Sequence, residues 1–110
     1  MTKYGNKRCG RDGYTFDSLA ERRRYDELML MEKADQIACI KVHPVYKIEV
    51  SGRLICKYTA DFSYEELSNG QHVRWVVEDV KSPATKTNVY KLKKNLMLAV
   101  HRITITEIDT

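Results

Sequence analysis

The sequence predicts a single α/β domain in which two helices flank a mixed sheet. Three observations predict it. Two stretches, one near each end of the chain, repeat apolar residues at helical spacing. Between them, residues 45–81 alternate side chains in three runs separated by turn signals. A short isoleucine-rich run follows the second helix, where a helix between two strands allows parallel pairing. The length, 110 residues, suits one compact domain and not two.

Residues 1–15 are polar and basic and contain Gly5, Gly10 and Gly13, so they read as a flexible basic arm that leads into an Asp12-Gly13 turn. Its Lys3, Lys7, Arg8 and Arg11 can touch phosphates or stay disordered when unbound. The domain proper is expected over residues 16–110. Ser18 with Glu21 three residues on is a capping box, which places a helix over residues 18–34. Leu19, Ala20, Tyr25, Leu28 and Met31 recur at helical spacing, and Arg22, Arg23 and Arg24 cover the rest of the first two turns. Capping by itself is a sufficient reason for Glu21.

Residues 37–42 form a short apolar run, read as the end of a loop or an edge strand, and His43-Pro44 breaks it because proline offers no N–H to a ladder. Residues 45–50 alternate as a strand and Ser51-Gly52 is a hairpin turn. Alternation resumes over residues 54–64, with Tyr58, Ala60, Phe62 and Tyr64 on one face and Asp61 on the other. Asp61 is in mid-strand, an unfavourable place for aspartate. Ser68-Asn69-Gly70 turns the chain into a third strand, residues 73–81, completing an antiparallel meander. Four valines and Trp75 make this strand read as buried. Ser82-Pro83 stops it. A helix follows over about 86–100, with Val89, Leu92, Leu96, Ala99 and Val100 inward. Lys86, Lys91, Lys93 and Lys94 take its outer face with Tyr90 among them. Ile103, Ile105 and Ile108 mark the closing strand.

Composition removes several classes. No apolar run approaches the roughly 18 residues of a spanning helix, and the first residues, MTKYGNKRCGRDG, lack the apolar core of a secretory signal. Cys9, Cys39 and Cys56 are odd in number and far apart, which argues against a zinc knuckle or a disulfide framework and for a reduced, cytoplasmic setting. His43, His72 and His101 show no ligand spacing and read as ordinary residues.

The net charge of +4 is unevenly distributed. Residues 1–24 carry seven Lys/Arg and three Asp/Glu, residues 25–80 carry six and ten, and residues 81–102 carry six and none. Two basic segments thus flank an acidic middle ending at Asp79. That layout suits a polyanion gripped around a cation-binding centre; it also suits a solvated lysine-rich helix face. On the third strand, alternation puts Asp79 and Lys81 on one face and Glu78 on the other. A buried strand has no packing reason to end in an acid and a base on one side. An exposed ion pair there contributes about 0–1 kcal/mol; the alternative is a metal-binding carboxylate beside a lysine that handles water.

The strings DGYTFDSLAERRRYDEL, HPVYKI, YTADFSY and VVEDVK, with acids Glu21, Asp61 and Asp79-Val80-Lys81 in that order, carry a resemblance. The chain resembles the PD-(D/E)xK nuclease superfamily, and within it small phage proteins of largely unassigned function, TnsA-type transposon endonucleases and phage Holliday junction resolvases. The resemblance spans residues 12 to about 100. It implies an αβββαβ restriction-endonuclease-like core and a Mg²⁺- or Mn²⁺-dependent endodeoxyribonuclease. Two positions depart from the pattern: Asp79 where glutamate is commoner, and His43 where related sequences often carry glutamine.

By that resemblance Asp61, Asp79 and the Val80 carbonyl hold the metal, with Glu21 binding directly, through water, or at a second metal. Magnesium demands oxygen ligands in near-octahedral geometry, which these residues supply. Lys81 orients the attacking water or neutralises charge on the phosphate. Arg22, Arg23, Lys86, Lys91, Lys93 and Lys94 hold the DNA backbone, contacts that carry no sequence information. Branched or recombining phage DNA in the host cytoplasm is the expected substrate, a second copy of the chain the expected partner, and membranes are not expected. A non-catalytic DNA-binding or scaffold protein that keeps the fold is the alternative.

Overall fold

The computed structural model describes residues 9–110. The chain is a mixed α/β domain with one helix on each side of a four-stranded sheet. It opens with a hairpin, β1 (Cys9–Arg11) and β2 (Tyr14–Phe16). Asp12 and Gly13 between them both have positive φ, 52° and 82°, as a type I′ turn requires. The segment expected as a loose arm thus contains a hairpin, anchored by the fully buried Phe16; residues 1–8 lie outside the described residues.

Helix α1 (Leu19–Lys33) starts where the capping pair places it, with Ser18 Oγ accepting the Glu21 N–H at 3.1 Å. Tyr25 and Leu28 pack with Phe16, Phe62, Tyr64 and Val76 in the core on this side. Strands β3 (Ile37–Val42), β6 (Phe62–Ser68), β7 (Gln71–Lys81) and β8 (Thr106–Asp109) form the main sheet in the order β3-β6-β7-β8. Residues 37–42 are therefore an edge strand. β6 and β7 pair antiparallel with Phe62 opposite Glu78, and β8 lies parallel to β7 with Glu78 opposite Thr106.

The strand expected over residues 54–64 is two strands. β4 (Val45–Val50) and β5 (Arg53–Thr59) make a hairpin sheet of their own, and the chain passes to the main sheet at Ala60-Asp61. The cause is a shared bend. The His43 N–H donates to the Asp61 carbonyl at 2.9 Å, and the Ala60 N–H donates to the Pro44 carbonyl at 3.0 Å. Both chains of one long ribbon thus turn away from the sheet together, where Pro44 cannot extend a ladder.

Helix α2 (Asn88–His101) also differs in its inward face. Tyr90 and Met97 are buried, with Leu96 and Val100 packed beside them against Ile48, Tyr58, Val77 and Ile105. Val89 and Leu92, expected inward, are 62% and 59% exposed, and Ala99 is exposed too. The helix is rotated so that Tyr90 turns in, where its hydroxyl donates to Glu107 at 2.8 Å. Trp75 is the other departure: it is 63% exposed. β7 is buried only over its second half, because β8 covers Glu78–Lys81 alone.

Candidate metal centre

The site forms where the ribbon bends. Asp61, just ahead of β6, is brought against the end of β7: its N–H donates to Asp79 Oδ1 at 2.8 Å, and its Oδ2 accepts the Val80 N–H at 2.7 Å. Asp79 is 2% exposed, and its Oδ2 accepts the hydroxyl of Tyr58, a residue of β5. Glu21 reaches in from the first turn of α1 and is buried. His43 comes from the bend itself. Its φ is +54°, a left-handed conformation uncommon outside glycine but tolerated by histidine. In that conformation its Nε2 lies 2.6 Å from Glu21 Oε1.

One ligand atom each from Glu21, His43 and Asp61 lies within 4.8 Å of the other two. Glu21, Asp61, Val80 and Lys81 line one cavity of about 330 Å³, with Asp17, Ser18 and Thr85 completing its wall. Lys81, half-buried, holds its Nζ 4.2 Å from the centre of the Tyr90 ring, a cation–π contact. Asp79 adjoins the three-residue group but is outside it, its oxygens engaged by Tyr58 and the Asp61 amide.

Electrostatics gives the same picture. Burial first, then the charges of Glu21 and Asp79, push the Asp61 carboxyl up to about 7. Burial likewise raises Asp79, against the pull of Tyr58, the Asp61 N–H and Lys81. His43 is raised by its hydrogen bond to Glu21. Three carboxyls thus crowd a partly buried space beside Lys81 and His43. A divalent cation would relieve that crowding; the carboxylates suit Mg²⁺ and Mn²⁺ alike, and of the two the transition-metal ion Mn²⁺ accepts an added imidazole more readily.

Glu78, the neighbour of Asp79, faces the other way. Its carboxylate is 0% exposed and binds Arg24 through Nε at 2.8 Å and Nη2 at 3.1 Å, and Tyr64 at 2.7 Å. Arg24 is thus an internal partner and not part of the outer face of α1. The basic residues expected against DNA divide. Lys94 and Lys86 reach Glu107 at 3.0 and 3.2 Å, and Lys86 also reaches Asp109 at 3.3 Å. Arg23 and Lys91 are exposed, Lys93 is half-buried, and the half-buried Arg22 has an Nε with no hydrogen-bond partner among the described residues.

Sequence reasoning missed His43 and Tyr58. Tyr58 had no signal beyond the alternation that buries it. His43 had one, a histidine before proline at a strand end.

Residues 1–107 match the profile of a family described as "Protein of unknown function (DUF1064)". The chain belongs to the DUF1064 family. The match takes in every residue of the DUF1064 site described above, from Glu21 to Lys81. No curated protein and no solved structure matches this DUF1064 chain.

Proposed function

We propose that this protein is a metal-dependent endonuclease that hydrolyses phosphodiester bonds in DNA, branched or recombining DNA in particular. The observation that carries the reading is the convergence of Glu21, His43 and Asp61 within 4.8 Å, at a cavity that Glu21, Asp61 and Lys81 line. The resemblance to PD-(D/E)xK nucleases supports it, because two acids of that pattern, Glu21 and Asp61, meet here and the third, Asp79, adjoins them. Glu21, His43 and Asp61 would hold the cation, with Asp79 beside them. When bound, the cation supplies charge stabilisation at the scissile phosphate and lowers the pKa of its water.

The chain's own residues do the rest. Lys81 lines the cavity, and its ammonium would orient the attacking water and offset charge on the phosphate oxygens. Tyr58 and the Asp61 amide fix the Asp79 carboxylate so that it cannot swing away. Arg23, Lys91 and Lys93 supply exposed or half-exposed positive charge for phosphates. The setting is the cytoplasm of a phage-infected cell. A symmetric pair of these small domains would cut two strands.

The test is cleavage of a four-way DNA junction with Mn²⁺ or Mg²⁺ by the wild type, Asp61→Asn and Lys81→Ala. Cleavage by the wild type alone is expected. Equal cleavage by all three ends the assignment of these residues. Junction binding with no cleavage under any metal replaces it with a DNA-binding protein that keeps the fold.

A further inference from the structure

The chain has a single tryptophan, Trp75, and it stands out from the surface of β7 at 63% exposure. Packing does not explain it, since both core clusters exclude it. The His72 ring lies 5.6 Å from the indole at 50°, which steadies one side of the ring system. Trp75 also lines a cavity of about 350 Å³, together with Arg74, Val76, Arg102, Ile103, Thr104 and Thr106. That volume is within the range of small-ligand sites. Arg102 is exposed, at the left-handed end of α2 with φ 57°. Arg74 binds Glu66 through Nε at 2.8 Å. No acidic side chain lines the cavity.

An exposed indole at a cavity that two arginines, two threonines and the apolar Val76 and Ile103 also line, without an acid in its wall, fits one chemistry well. The flat face takes a nucleobase by stacking, and the guanidinium takes the adjoining phosphate. A base inside a duplex has no free face to offer, so the ligand is an unpaired nucleotide. Trp75 shares its side of β7 with Asp79, four residues on, a separation of about 13 Å along the strand.

We infer that Trp75, with Arg102, forms a stacking site for an unpaired nucleotide of the DNA. This rests on the nuclease reading only for the identity of the nucleic acid; the site itself does not depend on cleavage. It gives the enzyme a reason to prefer DNA with unpaired bases at or near a branch over plain duplex.

The experiment uses the full chain in EDTA, so that no cutting occurs, with a short oligothymidylate strand and a blunt duplex as probes. Emission from the sole tryptophan reports stacking, and anisotropy of labelled DNA reports binding. Oligothymidylate is expected to quench the emission. Trp75→Ala should weaken its binding roughly five- to hundred-fold while changing duplex binding far less, and Trp75→Phe should keep most of the affinity. Arg102→Gln should reduce the salt dependence by about one phosphate contact. Oligothymidylate bound with emission unchanged, or bound equally by Trp75→Ala, overturns the stacking site and leaves the nuclease reading intact. No binding of oligothymidylate overturns the stacking site, while the nuclease reading is decided by the four-way junction with metal. An emission shift that depends on protein concentration without DNA means a second copy covers Trp75, and also overturns it.

Discussion

Removing Arg24 should destabilise the fold while leaving the cation site in place. Glu78 is fully enclosed, and Arg24 gives it two charge-assisted hydrogen bonds of 2.8 and 3.1 Å. Arg24→Ala leaves that carboxylate buried with only the Tyr64 hydroxyl for company. Breaking a buried pair from one side costs about 3–5 kcal/mol. The Arg24 side chain is 17% exposed, and water entering through the gap would solvate part of the orphaned charge, so the lower end, about 3 kcal/mol, is the working figure. That is a large share of the roughly 5–15 kcal/mol that holds a domain folded. It corresponds to a fall in Tm on the order of 12–24 °C for a domain of this size. The assay is urea or thermal unfolding followed by circular dichroism. Arg24→Met with Glu78→Leu removes both charges and should recover most of the loss, because no unpaired ion remains. A loss below about 1 kcal/mol for Arg24→Ala, or a double variant no better than the single, would refute the view that Glu78 is a buried ion held by Arg24.

Three further outcomes are expected. Tyr58→Phe removes the donor to the buried Asp79 carboxylate and should cost about 1–3 kcal/mol in urea unfolding. Glu107 is held at about 2, below its ordinary 4.5, by Lys94 first and then the Tyr90 hydroxyl. A depressed carboxyl contributes stability that is present above pH 4.5 and lost as pH falls towards about 2, so Glu107→Gln should flatten the acid limb of a Tm-against-pH profile in that window. His43→Gln exchanges an imidazole for an amide oxygen and should weaken Mn²⁺ relative to Mg²⁺, read as the ratio of the two affinities in a calorimetric titration.

Much of this was legible along the chain. Ser18 and Glu21 announced the start of α1, and simple alternation separated Glu78 from Asp79 across β7. What failed depended on where layers end. Parity runs unbroken through Ala60 and Asp61, so nothing local shows that β5 and β6 belong to different sheets; the bend is fixed by hydrogen bonds to His43 and Pro44. Valines flanking Trp75 suggest burial, but burial on a strand lasts only as far as its neighbours, and β8 reaches only Glu78–Lys81. The inward face of α2 is legible at Leu96 and Val100 but not at Val89, Leu92 and Ala99, apolar side chains that point out. Tyr90 has more to gain inside, an apolar ring with a hydroxyl that finds Glu107. His43 escaped notice because its value lies in a left-handed turn that brings a distant strand end to α1.

The central claim is a cation between α1 and the bend. Crystals grown or soaked with millimolar Mn²⁺ and measured at the manganese edge test it most directly. One anomalous peak is predicted within bonding distance of the Glu21 and Asp61 carboxylates, with His43 beside it, and no peak in Asp61→Asn crystals. Well-ordered wild-type crystals with no peak there, and Glu21 still bound to His43, would contradict it.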